Sequence, residues 1–178
     1  MSFKSLLAAG QLCRIFCSGR IIHPVVFDVH GMCGGFHGIW IDQEHCGTTY
    51  EQVVLAAACC RANGMDSFVR MAMTNYSMAT SFLEAGAGGL MAARIESAAH
   101  AEEFMQWVKF APRGNRGLNG RGFDAMFGGN TLPQLSVAAN RDNFLAIPIE
   151  TPAAPGACAN TPPLEAVRPP SRPHPPAA

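Results

Sequence analysis

Gly38-Ile39-Trp40-Ile41-Asp42-Gln43-Glu44-His45-Cys46-Gly47 is an apolar run that ends abruptly in Asp42, Glu44 and His45. Ile39, Trp40 and Ile41 are β-prone and follow Gly34, Gly35 and Gly38, a pattern that predicts a short strand buried on both faces of a parallel sheet. Carboxylates and a histidine at the mouth of such a strand are costly to bury unpaired, so they call for mutual hydrogen bonds or a ligand. In parallel α/β folds ligands bind at that end of the strands. An aspartate close to a histidine fixes the imidazole tautomer and raises its basicity, which is how a general base near neutral pH is built. The competing reading is an Asp/His pair capping the next helix, since Thr48 and Thr49 suit an N-cap.

Outward from this stretch, strand and helix patterns alternate. Upstream, residues 1–10 read as a short amphipathic helix and Arg14 to Cys17 as a strand. His23-Pro24 then opens a helix carrying Val25, Val26, Val29 and Met32 near helical spacing. Downstream, Tyr50 to Asn63 is helical with Asn63-Gly64 as its stop, and Met65 to Met71 is a strand carrying Arg70 at the level of Asp42 and His45. An arginine at the end of a buried strand is ligand-directed in this layout, with a surface ion pair as the alternative. Helices over 75–85 and 97–109 flank a strand over Leu90 to Ile95. The loop Pro112 to Gly122 holds Arg113, Arg116 and Arg121 among glycines and suits a mobile cover for a small anion. A last helix over 132–143 precedes the strand Phe144 to Thr151, which ends in Glu150. This rhythm is that of a parallel α/β fold, barrel or open sheet.

Composition excludes several classes. With 178 residues, 48% hydrophobic and 15% charged, the chain has enough apolar content for one domain with a real core. Thirteen basic residues balance thirteen acidic ones, so no net field points to nucleic acid or an anionic membrane. No apolar run approaches the roughly 18 residues of a membrane span, and the signal-like N-terminus is interrupted by Gln11 and Arg14, so the expected location is the cytoplasm. Seven scattered cysteines form no CxxC pair and read as reduced packing residues. Cys46, beside His45, is the one to weigh as a nucleophile against a packing role. From Pro152 the chain is proline and alanine with little else, a disordered tail over 152–178 that follows a domain over 1–151.

Several motifs come in one family's order: Leu-Ala-Ala-Gly near the start, Ile-Asp-Gln-Glu-His at 41–45, Phe-Val-Arg at 68–70, Glu-Ala-Gly-Ala-Gly-Gly at 84–89, Ala-Pro-Arg-Gly-Asn-Arg-Gly at 111–117 and Ile-Glu-Thr at 149–151. Over about residues 5–151 the chain resembles the HpcH/HpaI aldolases, metal-dependent class II pyruvate aldolases. The resemblance implies a (β/α)8 TIM-barrel type fold, phosphoenolpyruvate/pyruvate barrel-like, of which about the first five β/α units are present. It implies a cytoplasmic lyase, a homo-oligomer when folded, that cleaves a small-molecule 4-hydroxy-2-oxo acid to pyruvate and an aldehyde. His45 with Asp42 would be the base acting on the pyruvate methyl. Arg70 would bind the substrate and stabilise enolate charge, and Glu150 would be a ligand of a divalent metal (Mg2+, Mn2+ or Co2+). Pro148 departs from the family's glutamine, and the family's second metal carboxylate has no counterpart after Thr151. The abrupt Pro/Ala tail is then expected to mark a C-terminally truncated or frameshifted chain, catalytically inactive in the alternative reading. Ile39, Ile41, Phe68, Val69, Ile147 and Ile149 are expected to line an inner face without its opposite wall.

Overall fold

Residues 2–148 are described by a computed structural model. β1 (Ile15–Cys17), β2 (Gly38–Asp42), β3 (Asp66–Ala72), β4 (Gly89–Ala93) and β5 (Phe144–Ala146) form one parallel sheet, and their spatial order follows the chain. Every crossover therefore steps the same way, and right-handed crossovers put all the helices between strands on one face. That is the winding of a (β/α)8 barrel; in an open doubly wound sheet the direction reverses. The five strands are a section of a TIM-barrel wall.

Alternation along each strand sorts the side chains between two faces. Ile39, Ile41, Val69, Met71, Leu90, Ala92, Leu145 and Ile147 pack in the cluster shared with the helices, whereas Trp40, Phe68, Met91, Phe144 and Ala146 meet on the concave side. Of the described residues expected to line the inner face, only Phe68 does so; Ile39, Ile41, Val69 and Ile147 face the helices, and Ile149 lies outside the described residues. A continuous apolar run such as Ile39-Trp40-Ile41 carries no alternation from which parity could be read.

α1 (Phe3–Ala8) closes the N-terminal end of the concave face. Its Phe3 is 1% exposed, with ring centroids 5.8 Å from Phe68 and 6.0 Å from Phe144. The Asp66 carboxylate accepts from Phe3 N and Ser67 N, both at 2.8 Å, and so ties the start of α1 to the start of β3. Gly38 is required here, because a Cβ would sit 2.1 Å from Phe3 Cζ and 2.4 Å from the Asp66 carbonyl oxygen.

The remaining helices are α2 (Pro24–Cys33), α3 (Tyr50–Ala62), α4 (Tyr76–Glu84), α5 (Ala98–Val108) and α6 (Leu132–Asp142). Thr49 and Thr131 start α3 and α6 with capping boxes, and Asn75 and Ser97 cap α4 and α5. α2 buries only Phe27, while Val25, Val29 and Met32, at helical spacing, form an exposed stripe. The reason is position: α2 follows the edge strand β1, and the helix it packs against most is α3.

The arginine loop is pinned. Gly117 N donates to the Tyr76 hydroxyl, Asn119 Nδ2 donates to Glu84 Oε2 at 2.8 Å, and Arg116, 4% exposed, pairs with Asp124 at 2.5 Å. Arg113 and Arg121 remain exposed. Among the described residues no helix is long and apolar enough to cross a membrane.

Candidate active site

β2 and β3 run parallel with Asp42 in register with Arg70. By strand alternation Asp42 follows Trp40 and Arg70 follows Phe68 onto the concave side, at the C-terminal end where barrels bind ligands. The ladder ends with Gln43 N donating to Arg70 O at 2.9 Å, after which the chain turns. Asp42, 7% exposed, shapes that turn: its Oδ1 accepts from His45 N at 3.0 Å, and its carbonyl oxygen accepts from Thr48 Oγ1 at 2.9 Å. Thr49 then caps α3. The expected Asp42–imidazole pair is thus replaced by a bond to the His45 backbone. Asp42 fixes where the His45 backbone stands.

The carboxylate beside that ring is Glu44. Its Oε2 lies 3.4 Å from His45 Nε2 and 2.8 Å from Arg70 Nη2, with Glu44 and Arg70 side chains each 12% exposed and His45 64% exposed. Glu44 Oε2 meets no donor along a hydrogen-bond direction, so the Arg70 contact is a close ion pair held by charge. Beneath it, the Arg70 guanidinium carbon is 5.7 Å from the centre of the Trp40 ring. The site therefore presents an exposed imidazole, a half-sequestered guanidinium and a carboxylate joining them. Chemically this is a proton-moving group beside a fixed cation, suited to a substrate that develops negative charge. The sequence placed Asp42, His45 and Arg70 at one level; in the structure Asp42 is in register with Arg70 and bonds the His45 backbone, and the side chain between the imidazole and the guanidinium is Glu44, which the sequence left without a role. Its signal was an acidic residue one step from the histidine in a turn that folds over the neighbouring strand.

Cys46 is half-buried beside His45 and is a free thiol. Glu150, the expected metal ligand, lies outside the described residues. Among the described residues no three His, Cys, Asp or Glu side chains come together as a metal site. Glu44 is committed to Arg70 and Asp42 to the His45 backbone, so the described donor set does not fit a divalent ion.

No protein-family model matches the chain. It is 27% identical over 150 residues to a hydroxypyruvate/pyruvate aldolase of Roseovarius nubinhibens, an alignment that takes in 84% of this chain and 57% of the relative. It is 24% identical over 149 residues to a 5-keto-4-deoxy-D-glucarate aldolase of Klebsiella pneumoniae, with 84% and 57% covered. A 4-hydroxy-4-methyl-2-oxoglutarate aldolase of Chaetomium globosum is 28% identical over 124 residues, covering 67% of this chain and 46% of that one. The chain thus spans about half the length of the curated relatives it matches. In fold it matches the crystal structure of an HpcH/HpaI aldolase from Desulfitobacterium hafniense with a TM-score of 0.80 at 22% identity, covering 86% of this chain and 59% of that one. An HpcH/HpaI aldolase/citrate lyase family protein from Burkholderia cenocepacia gives a TM-score of 0.77 at 20% identity, with 86% and 61% covered. Motif order, barrel winding and relatives converge, and the chain resembles the HpcH/HpaI aldolases over most of its own length.

Proposed function

We propose that the chain carries the substrate-activating part of a lyase that reversibly cleaves a 4-hydroxy-2-oxo acid to pyruvate and an aldehyde. The observation that carries the reading is the meeting of His45, Glu44 and Arg70 at the C-terminal ends of β2 and β3, in a chain similar to aldolases. In the cleavage direction the 4-hydroxyl gives its proton to the His45 imidazole, the C3–C4 bond breaks with its electron pair passing into the pyruvate enolate, and C4 leaves as the aldehyde carbonyl. Arg70 faces the oxygen on which that charge gathers, where a preorganised cation acts most strongly. His45 then delivers a proton to the methyl carbon, and in the condensation direction removes it. Asp42 positions His45 through its backbone.

Glu150 is the residue the resemblance offers to a divalent ion (Mg2+, Mn2+ or Co2+), which when bound would act as a Lewis acid. No step above depends on it. The same reading carries a domain over 1–151 with a separate segment over 152–178, self-association into a homo-oligomer, and a cytoplasmic setting.

Release of pyruvate from a 4-hydroxy-2-oxo acid, followed through lactate dehydrogenase with and without added Mg2+, Mn2+ or Co2+, tests the proposal. Pyruvate formation that disappears in His45→Ala is expected. No pyruvate under any metal condition, from folded protein, would overturn it.

A further inference from the structure

Trp40 lies two residues before Asp42 on β2, in register with Cys17 of β1 and Phe68 of β3. Its ring stacks on Phe68 with centroids 5.9 Å apart and planes 29° apart, and the Arg70 guanidinium carbon is 5.7 Å from its ring centroid. Its Nε1 is buried and meets no protein acceptor. Buried side-chain donors in native proteins almost always have a partner, because leaving one unmade forfeits the water it gave up. Phenylalanine or leucine would fill the same concave layer without an orphaned donor. Indole offers exactly one polar atom, a donor and never an acceptor, so whatever completes it brings a lone pair. The neighbouring cation makes a negatively charged oxygen the favoured source.

We propose that the Trp40 indole N–H donates to one carboxylate oxygen of a 2-oxo acid whose keto oxygen faces the neighbouring Arg70 guanidinium on the concave face. The choice of a 2-oxo acid rests on the aldolase reading; the need for an anionic or lone-pair partner rests on the orphaned N–H alone. Trp40 contributes in two ways: its ring face supports the guanidinium, and its edge supplies a hydrogen bond that sets how deep the carboxylate sits. Selectivity follows. An uncharged carbonyl compound without the carboxylate leaves the indole unpaired and binds more weakly.

The chain has two tryptophans, Trp40 and Trp107, so an indole 15N–1H spectrum of the full chain shows two side-chain signals, assigned with Trp107→Phe. Pyruvate added with Mg2+ is expected to move the Trp40 indole signal downfield and slow its exchange with D2O. Trp40→Phe removes the N–H together with the five-membered ring, so it is paired with benzothienylalanine at position 40, which keeps the bicyclic shape and lacks only the N–H; the isostere is expected to weaken pyruvate binding by calorimetry about tenfold, the size of one charge-assisted bond, at unchanged Tm. Should backbone signals of residues 42–46 respond while the Trp40 indole stays still, or should the isostere bind as tightly as wild type, the proposal falls and the aldolase reading stands. If pyruvate moves no signal at all, both fall. If neither variant folds, the wild-type indole shift decides alone.

Discussion

Glu44 Oε2 stands 2.8 Å from Arg70 Nη2, and the two side chains are equally withdrawn from solvent. A pair this sheltered is neither a surface salt bridge worth little nor a dry one whose desolvation cancels its attraction. Removing one partner leaves the other charge partly buried. Glu44→Gln is therefore expected to lower the unfolding free energy by about 1–3 kcal/mol. Arg70→Met should cost a similar amount and the double variant clearly less than the sum. Additive losses in a urea-unfolding cycle would show that the two charges do not support each other.

His45 is the exposed member of the site, so its loss should be felt in chemistry and not in folding. Replacing it by alanine should cost at least the roughly 100-fold that general acid–base catalysis contributes, at a Tm close to wild type. Turnover unaffected by the change would remove His45 from the mechanism.

Arg70→Lys keeps the charge and loses the planar fork, which on this chain both meets Glu44 and lies over Trp40. A large fall in kcat with the unfolding transition preserved is expected from steady-state kinetics. Wild-type rates would assign Arg70 a structural part only.

Burial raises the Asp66 carboxyl above its ordinary value, against the opposing pull of the Phe3 and Ser67 N–H groups. Folded protein then holds the Asp66 proton to higher pH than unfolded protein does. The group's contribution to stability is greatest below the unfolded value and falls as pH rises through the folded one. Urea unfolding from about pH 4 to about pH 7 should show the advantage of wild type over Asp66→Asn shrinking with pH and then levelling. A difference that grows with pH would mean that the two N–H bonds outweigh burial.

The cysteines offer a test of the core. Burial pushes the Cys60 thiol up to about 12, whereas Cys17 and Cys33 are exposed. Iodoacetamide at neutral pH should label Cys17 and Cys33 in the folded protein and reach Cys60 only on unfolding, as read by mass spectrometry. Early labelling of Cys60 would contradict its place on the buried face of α3.

What the sequence made legible was local. The starts of α3, α4, α5 and α6 lie within a residue of where the sequence put them, and each is set locally, Thr49, Asn75, Ser97 and Thr131 capping through bonds that span three residues. β2 and β3 were visible as apolar runs broken by charge. Parity was hidden, since Ile39-Trp40-Ile41 is apolar at every position. So was the outward turn of Val25, Val29 and Met32, which depends on α2 following the edge strand β1. The arginine loop read as mobile because its anchors, Tyr76 and Glu84, come from a helix far back in the chain. At the site, residue types and level were readable, but not that Asp42 would spend its carboxylate on a backbone N–H and leave the imidazole to Glu44.

Gly38 and Phe3 occupy one volume. With the would-be Cβ of residue 38 only 2.1 Å from Phe3 Cζ, neither position is free to drift alone. A smaller residue at 3 would not free position 38, because an added Cβ would still meet the Asp66 carbonyl oxygen at 2.4 Å, and it would open a hole between Phe68 and Phe144. Among descendants of this sequence the glycine at 38 is held by two walls, one a ring and one a main chain, and its loss would mark a chain in which both the first helix and the start of β3 have moved.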